Sequence, residues 1–187
     1  WFGFNGFSQL AMGTFNDVTA ISKIAVNTHL AGAAGTVTGA VLSRLLGGKT
    51  DVIMMLNGAL AGLVAITAEP LTPTPGFAIL IGSIGSVIMY FGTKMLENVG
   101  LDDVVGAIPV HMFAGIFGTL IVPLTNKGVT FSSQFVGTLS VCVFSFVLSY
   151  IIFKTMKATI GLRISKEAEK LGTDKAEVGV VAYAIRD

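Results

Sequence analysis

Long runs without a charged side chain alternate with short charged stretches along this chain of 187 residues. Each run approaches the roughly 20 residues with which an α-helix crosses the hydrocarbon core of a membrane. A membrane β-barrel would instead require alternating segments of about ten residues, and these runs are longer and do not alternate. The pattern predicts an all-α, polytopic transmembrane helical bundle. The six uncharged runs are residues 1–16, 24–43, 52–68, 70–93, 104–126 and 128–153.

We predict a transmembrane domain over residues 1–160 and a cytoplasmic tail over residues 161–187. The proline-rich stretch PLTPTPG, residues 70–76, is predicted to be a loop, because proline excludes a continuous helix there. Six helices are predicted, over residues 1–16, 22–46, 51–68, 76–96, 103–124 and 131–158.

The charged residues between the runs predict an orientation. If the chain crosses the membrane at every run, six cations fall on one side and two on the other. Cytoplasmic loops carry an excess of Lys and Arg, so the first side is predicted to be cytoplasmic. Its cations are Arg44, Lys49, Lys94, Lys154, Lys157 and Arg163, and those of the other side are Lys23 and Lys127.

Composition agrees with a membrane protein, because 52% of the residues are apolar and 12% are charged. A soluble domain is usually about one quarter charged. The net charge of +1 gives no indication of nucleic-acid binding. Cys142 is the single cysteine, which excludes an internal disulfide and a cysteine metal motif. We predict no cofactor, no metal site and no enzymatic activity.

The tail is the most charged part of the chain, since 12 of the 23 charged residues lie in 154–187. Exposed charge clusters usually only solvate a surface, so a short solvated helix over residues 165–171, broken at Gly172, is the favoured interpretation. A docking surface for a soluble regulator is the alternative.

Trp1, Phe4 and Ser8 follow one another at helical spacings of three and four, which place them on one face of a helix. Two aromatic rings and a hydroxyl on one stripe could offer a cation π-faces and one oxygen. Aromatic residues at this spacing also serve as ordinary packing, and the stripe alone does not separate the two roles.

His111 lies near the middle of an uncharged run, in the stretch GAIPVHMFAGIFGTL. An ionisable side chain at membrane depth is costly unless it faces a cavity or a partner. Gly115 and Gly118 are predicted to share its face and to clear space beside it, so that His111 lines a passage. A neutral imidazole hydrogen-bonded between helices is the alternative, and it is the role that we predict for His29.

Asp102 and Asp103 open the fifth run, where carboxylates suit the unpaired N–H groups of a helix N-terminus. A catalytic carboxylate pair is the less favoured alternative, because no nucleophile or metal ligand accompanies the two residues. Thr67 ends the stretch GLVAITAEP, and its hydroxyl is expected either to cap its own backbone or to reach into a pathway.

Taken in order, these stretches resemble the ammonium transporter family, which includes the Amt, MEP and Rh proteins. WFGFN is followed by Ser8, then by VNT, LAGLVAITAEP, DD and PVH with GIFG behind it. LRISKEAEKLG is similar to the start of the cytoplasmic C-terminal tail of that family.

The resemblance implies a fold of eleven transmembrane helices, in two inverted five-helix halves and a closing helix. WFGFN resembles the start of the sixth helix, so the chain is expected to be the C-terminal half, helices six to eleven, of a longer protein. That expectation explains why the chain begins at Trp1 instead of Met. Inverted halves that meet at a midplane pathway are a common transporter plan.

The resemblance also implies roles for individual residues. Ammonium is expected to be recruited at an outer vestibule, deprotonated near a phenylalanine gate, and conducted as ammonia along a histidine-lined apolar pore, with co-movement of the proton. Family positions match Phe4 as a gate ring, Ser8 and Thr67 as the recruiting residues, His111 as one of two pore histidines, and Trp1, Asp102 and Asp103 as residues that support the pore.

Further expectations concern partners and location. The resemblance implies a homotrimer in contact with membrane lipid, in the plasma membrane or bacterial inner membrane, with a cytoplasmic C-terminus and a PII-type regulatory protein as partner. An ammonium sensor of the same fold, signalling through its C-terminal region, is the alternative function. Two departures are a glycine, Gly106, where a third aspartate is common, and KAEVGVVAY where an HGE-like stretch is frequent.

Overall fold

A computed structural model of the chain describes residues 1–181. All regular elements within those residues are helical, so the predicted all-α fold is confirmed. The chain divides into two compact units, residues 1–138 and 139–187. The helices are α1 (Phe2–Phe7), α2 (Phe15–Gly47), α3 (Val52–Thr67), α4 (Pro75–Asn98), α5 (Ile108–Thr125), α6 (Phe131–Thr159) and α7 (Lys166–Leu171).

Four of these helices, α2, α4, α5 and α6, are long and apolar enough to cross a membrane. The third helix is equally apolar but only 16 residues long. Helices α3, α4 and α6 begin and end within two residues of the predicted bounds. Their ends coincide with polar caps or prolines, which is why the uncharged runs locate them well.

The boundary between the first two predicted helices is wrong. We expected a helix over residues 1–16 and a second from 22, but α1 ends at Phe7 and α2 begins at Phe15. Thr14 and Asp17 form a capping box, in which the Thr14 hydroxyl accepts from the Asp17 N–H and the Asp17 carboxylate accepts from the Thr14 N–H. This reciprocal cap starts α2 seven residues early, inside the stretch that its lack of charge assigned to the first helix.

The fifth helix begins later than predicted, at Ile108 instead of 103, and its winding changes along its length. Its first six residues, Ile108–Phe113, are π-helical, and Ala114–Leu120 continues as α-helix. Gly106 lies just before it with φ of 73°, a left-handed conformation that favours glycine. The chain therefore turns sharply at Gly106 before the helix starts.

Helices α2, α3 and α4 pack backbone to backbone. A Cβ at Gly35 of α2 would overlap the Gly58 carbonyl of α3, and a Cβ at Gly82 of α4 would overlap the backbone of Ala31. Gly39 meets Met54 on the same α2–α3 contact, so the two helices are antiparallel. Small residues permit this close approach in membrane helices, where van der Waals packing replaces the hydrophobic effect.

The second unit contains most of α6, the short helix α7 and a π-helical turn, Asp174–Val178. Ser165 caps α7 by accepting from the Ala168 N–H, and Gly172 follows the helix with φ of 96°. The short solvated tail helix is thus confirmed, with its break at Gly172. The end of the predicted tail, residues 182–187, lies outside the described residues.

Candidate functional site

His111 lies in the π-helical turn that opens α5, and its side chain is exposed on the surface of the first unit. The neighbouring residues Pro109 and Val110 are buried. Val110 belongs to an apolar cluster with Met54, Ala61, Met89, Tyr90 and Ala114, which forms a solid wall behind the turn. The imidazole is therefore presented outward by a turn whose opposite side is firmly packed.

The π-helical turn is held against α4 at Gly92. A Cβ at Gly92 would lie 2.5 Å from Cδ2 of Phe113 and 3.2 Å from Cβ of Pro109. The absence of a side chain at Gly92 lets both residues of the turn approach the α4 backbone. Isolated π-turns within α-helices occur frequently at functional sites.

The predicted role of the glycines beside His111 is wrong for Gly118. Gly118 is buried, and a Cβ there would overlap the Ala65 backbone of α3. A Cβ at Gly115 would be 3.6 Å from Cγ1 of Val64, also on α3, which is an ordinary contact. Gly118 therefore allows α5 to approach α3, whereas a Cβ would fit at Gly115. The wider π-turn changes the angular relation between His111 and the following residues, so α-helical spacing misplaced them.

Asp103 performs the helix-capping role predicted for the aspartate pair. Its Oδ1 accepts from the Ala107 N–H at 2.9 Å and its Oδ2 accepts from the Ile108 N–H at 2.8 Å. These are charge-assisted bonds to the orphan donors of the turn that carries His111. Asp102 is exposed and lines a small cavity with Thr93, Glu97 and Pro109.

Gly106 makes room for Asn57 of α3. Asn57 Nδ2 donates to the Val105 carbonyl at 3.0 Å, and a Cβ at Gly106 would lie 2.7 Å from that same nitrogen. An aspartate at this position, as is common in the family that the sequence resembles, would have to displace the amide.

Trp1 and Thr67 are joined across the first unit. Trp1 Nε1 donates to the Thr67 hydroxyl at 2.7 Å, and that hydroxyl donates to the Leu63 carbonyl at 2.6 Å. Thr67 thereby both bonds back to its own helix and anchors the indole. Because a hydroxyl has one proton and two lone pairs, Thr67 keeps one free acceptor site.

Phe4 and Ser8 lie next to this pair on and after α1. The Phe4 ring is 68% exposed, and its centroid lies 6.4 Å from that of Trp1 at an angle of 56°. The Ser8 hydroxyl donates to the Phe4 carbonyl at 2.9 Å. The proton of the Ser8 hydroxyl is therefore used in a bond to the helix, and its lone pairs remain available to accept a hydrogen bond.

Two buried asparagines, which the sequence interpretation did not single out, fix these elements. Asn5 Nδ2 donates to the Thr28 hydroxyl at 3.0 Å, which joins α1 to α2. Asn27 Nδ2 donates to the carbonyls of Pro70 and Pro73, both at 2.9 Å, which joins α2 to the proline-rich loop. The sequence signal for both roles was an asparagine inside an apolar run, because a buried carboxamide needs hydrogen-bond partners.

Within residues 1–181, no hydrogen bond supports the interhelical role predicted for His29. Its exposed ring stacks on Phe2 of α1, with the centroids 6.3 Å apart and an interplanar angle of 22°. Phe2 lies beside the α2 surface, so the imidazole finds an aromatic face where we expected a polar partner. The contact still joins two helices, through ring stacking.

The predicted site residues form two groups. Trp1, Phe4, Ser8 and Thr67 are linked to one another, but within residues 1–181 no hydrogen bond or ring contact joins them to His111. Gly118 packs at the level of Ala65 and His111 precedes Gly118 by seven residues. At about 1.5 Å per residue, His111 lies on the order of 10 Å further along the bundle.

The arrangement separates a group of aromatic and hydroxyl side chains from an exposed imidazole that lies further along the bundle. Exposed aromatic faces and a hydroxyl with free lone pairs suit a small cation. A neutral imidazole can accept or donate one hydrogen bond and pass a proton. Within residues 1–181, no group of three or more His, Cys, Asp or Glu side chains is placed to hold a metal ion.

One protein family and several relatives match this chain along nearly its whole length. A family model described as the Ammonium Transporter Family matches residues 1–183. Ammonium transporter Amt2 of Archaeoglobus fulgidus is 40% identical over 203 residues, which cover 98% of this chain and 42% of the relative. Ammonium transporter Amt2 of Methanocaldococcus jannaschii is 34% identical over 98% of this chain and 43% of its own length.

Solved structures share the fold. A protein titled Sensor Amt Protein superposes with a TM-score of 0.86 at 31% sequence identity, over 95% of this chain and 45% of that chain. Candida albicans Mep2 superposes with a TM-score of 0.80 at 25% identity, over 96% of this chain and 43% of its own. The chain thus spans less than half the length of these relatives.

Proposed function

Because this chain belongs to the ammonium transporter family, we propose that it provides one half of a membrane pore that takes up ammonium and conducts it as ammonia. The observation that carries the proposal is the exposed imidazole of His111, presented at membrane depth by a π-turn with an apolar wall behind it. An exposed ionisable ring on such a surface is costly in lipid unless it faces a pathway.

The outer end of the pore is the group formed by Trp1, Phe4, Ser8 and Thr67. Ammonium is recruited there by the lone pairs of Ser8 and the π-face of Phe4. Thr67 acts through Trp1, whose indole it anchors, and retains one free acceptor site. Deprotonation near Phe4 then leaves a neutral molecule to enter the apolar bore.

The inner part of the pore is the face that carries His111. Ammonia crosses along this face and exchanges a hydrogen bond with the imidazole, which takes or passes the proton that ammonium has lost. Potassium matches ammonium in charge and nearly in size but has no proton to give up. Transferring a full charge into hydrocarbon costs several kcal/mol, so an apolar bore excludes potassium.

The surroundings of the pore follow from the same proposal. The complete protein places its other half, with a second histidine, over the exposed face of His111 and assembles as a homotrimer. The end of the bundle with Arg44, Lys49 and Lys94 faces the cytoplasm of a cell bounded by the plasma or bacterial inner membrane, by the excess of cations there. A PII-type regulator docks on that side.

The test is a transport measurement on the complete parent protein in proteoliposomes. Addition of ammonium should produce a saturable current, and His111→Ala should reduce it at least tenfold or abolish its ammonium selectivity. His29→Ala is the matched control, because His29 is also an exposed histidine but stacks on Phe2 and is given no role in the proposed pathway. Equal losses in both variants would contradict a pore-lining role for His111.

An ammonium sensor is the second candidate, and the structural match to a protein titled Sensor Amt Protein favours keeping it. In a sensor, substrate occupancy of the same vestibule is relayed through the C-terminal region with little flux. The same proteoliposome experiment separates the two functions. Saturable ammonium binding without current would support the sensor and exclude the transporter.

A further inference from the structure

Two buried residues of α3 and α4, which have no part in the proposed pathway, contact the π-helical turn of α5 from different sides. Asn57 of α3 donates a hydrogen bond to the Val105 carbonyl, just before the turn. Gly92 of α4 lies against Pro109 and Phe113, within the turn. Both Asn57 and Gly92 are buried. The turn is thus held by two neighbouring helices.

Asn57 supplies a hydrogen bond that Pro109 cannot make. In a regular α-helix the N–H of residue 109 would donate to the carbonyl of Val105, four residues before it, but proline has no N–H. Asn57 Nδ2 donates to that carbonyl at 3.0 Å. The chain is therefore bonded to α3 at the point where a helical bond is missing.

Gly92 holds the other side of the turn by its lack of a side chain. A Cβ there would lie 2.5 Å from Cδ2 and 2.9 Å from Cε2 of the Phe113 ring, and 3.2 Å from Cβ of Pro109. Carbon atoms pack at about 3.5–4.0 Å, so a side chain would push both residues away from α4. Pro109 and Phe113 lie two positions before and two positions after His111, which would move with them.

The winding of the turn links these contacts to the imidazole. The Ala114 N–H donates to the carbonyl of Pro109, five residues before it, which is the hydrogen bond of a π-turn. His111 lies between the donor and the acceptor of this bond. Because an α-turn has one residue fewer between donor and acceptor, a change from π to α winding would rotate His111 about the helix axis.

We propose that Gly92 and Asn57 are positioning residues of the ammonium pathway, which fix the winding of the π-turn and so hold the His111 imidazole towards the pore. The role rests on the transport function proposed above, because it requires that His111 lines the pathway. Polar groups of a selective site must be held to within about 0.5 Å of their working positions. The close contact at Gly92 and the hydrogen bond from Asn57 provide that restraint.

The test is the current ratio of ammonium to potassium of the complete parent protein in proteoliposomes, since a ratio does not depend on the amount of folded protein. Gly92→Ala should lower this ratio roughly threefold or more, because a displacement of about 1 Å in a positioned group can cost as much as about a hundredfold in rate. Gly85→Ala is the matched control on the same helix. Its Cβ would lie 2.9 Å from that of Ala65, so it crowds α3 instead of the turn. It should lower thermal stability and leave the ratio at the wild-type value.

Two double variants show whether Gly92 acts through the turn and the imidazole. In the Phe113→Ala background the space of the ring accommodates the new methyl group, so Gly92→Ala should lower the ratio no further. In the His111→Ala background Gly92→Ala should also have no further effect, because the group that it positions is absent. An additional loss in either background would overturn the proposal.

An unchanged ratio in Gly92→Ala, or an equal loss in Gly85→Ala, would also overturn the proposal. If Gly92→Ala cannot be purified, Asn57→Leu takes its place, because it removes the donor to Val105 and nearly keeps the volume. A wild-type ratio in Asn57→Leu would then overturn the proposal.

Failure of the transport function gives a different result in the same series, because His111→Ala would then leave the ratio at the wild-type value. In that case a density map of Gly92→Ala decides whether Gly92 positions His111. An imidazole displaced from its wild-type position would support the positioning role, and an unmoved imidazole would overturn it.

Discussion

Thr67 shows how one side chain can serve two elements. Its hydroxyl donates to the Leu63 carbonyl of its own helix and accepts from Trp1 Nε1. The local bond follows from a threonine at the end of a helix. The bond to Trp1 could not be predicted, because the two residues are 66 positions apart and hydropathy carries no information on such pairs.

Substitutions at Thr67 should distinguish the contribution of its two hydrogen bonds to stability from that of its side-chain volume. Thr67→Val keeps the shape but leaves the half-exposed indole N–H without its acceptor, which should lower the free energy of unfolding of the complete protein by about 1 kcal/mol. Thr67→Ser keeps the hydroxyl and should be close to wild type. Thermal unfolding in detergent measures both, and an equal loss in the two variants would argue against the Trp1 bond.

The π-turn at the start of α5 is the element that positions His111. A π-turn and an α-turn of the same residues have the same hydropathy, so the sequence predicted a helix here but not its winding. The π-turn depends on contacts between residues distant in sequence. Phe113 and Pro109 pack against the backbone of α4, which the missing side chain at Gly92 permits. The Asp103 cap, by contrast, is local and was predicted.

The aspartate pair allows that cap to be tested with a built-in control. Asp103→Ala removes the acceptor for the Ala107 and Ile108 N–H groups, and should lower the free energy of unfolding of the complete protein by about 1–2 kcal/mol. Asp102→Ala removes a neighbouring exposed carboxylate without such bonds, and should change it by less than about 0.5 kcal/mol.

Denaturant or thermal unfolding measures both aspartate variants on the same preparation. The Asp103 variant should also lose ammonium current, since its cap fixes the turn that carries His111. Similar stability for the two variants would show that the cap does not hold the start of α5.

At the scale of the whole molecule, the uncharged runs and the order of motifs were sufficient to predict the fold class and the family. Both depend only on which residues follow one another along the chain. The division of the site into an outer group and a separate histidine could not be predicted from the sequence. It depends on α3 and α5 running in parallel, which brings Gly118 to the level of Ala65 and leaves His111 well below Thr67.

The most direct test of the pore is a selectivity measurement on His111→Asp in the complete protein. A carboxylate can hold a desolvated cation where a neutral ring cannot. We expect the current ratio of ammonium to potassium, recorded in proteoliposomes, to fall at least tenfold from the wild-type value. A ratio that stays at the wild-type value in a folded, conducting His111→Asp protein would contradict the claim that this imidazole lines the path of ammonia.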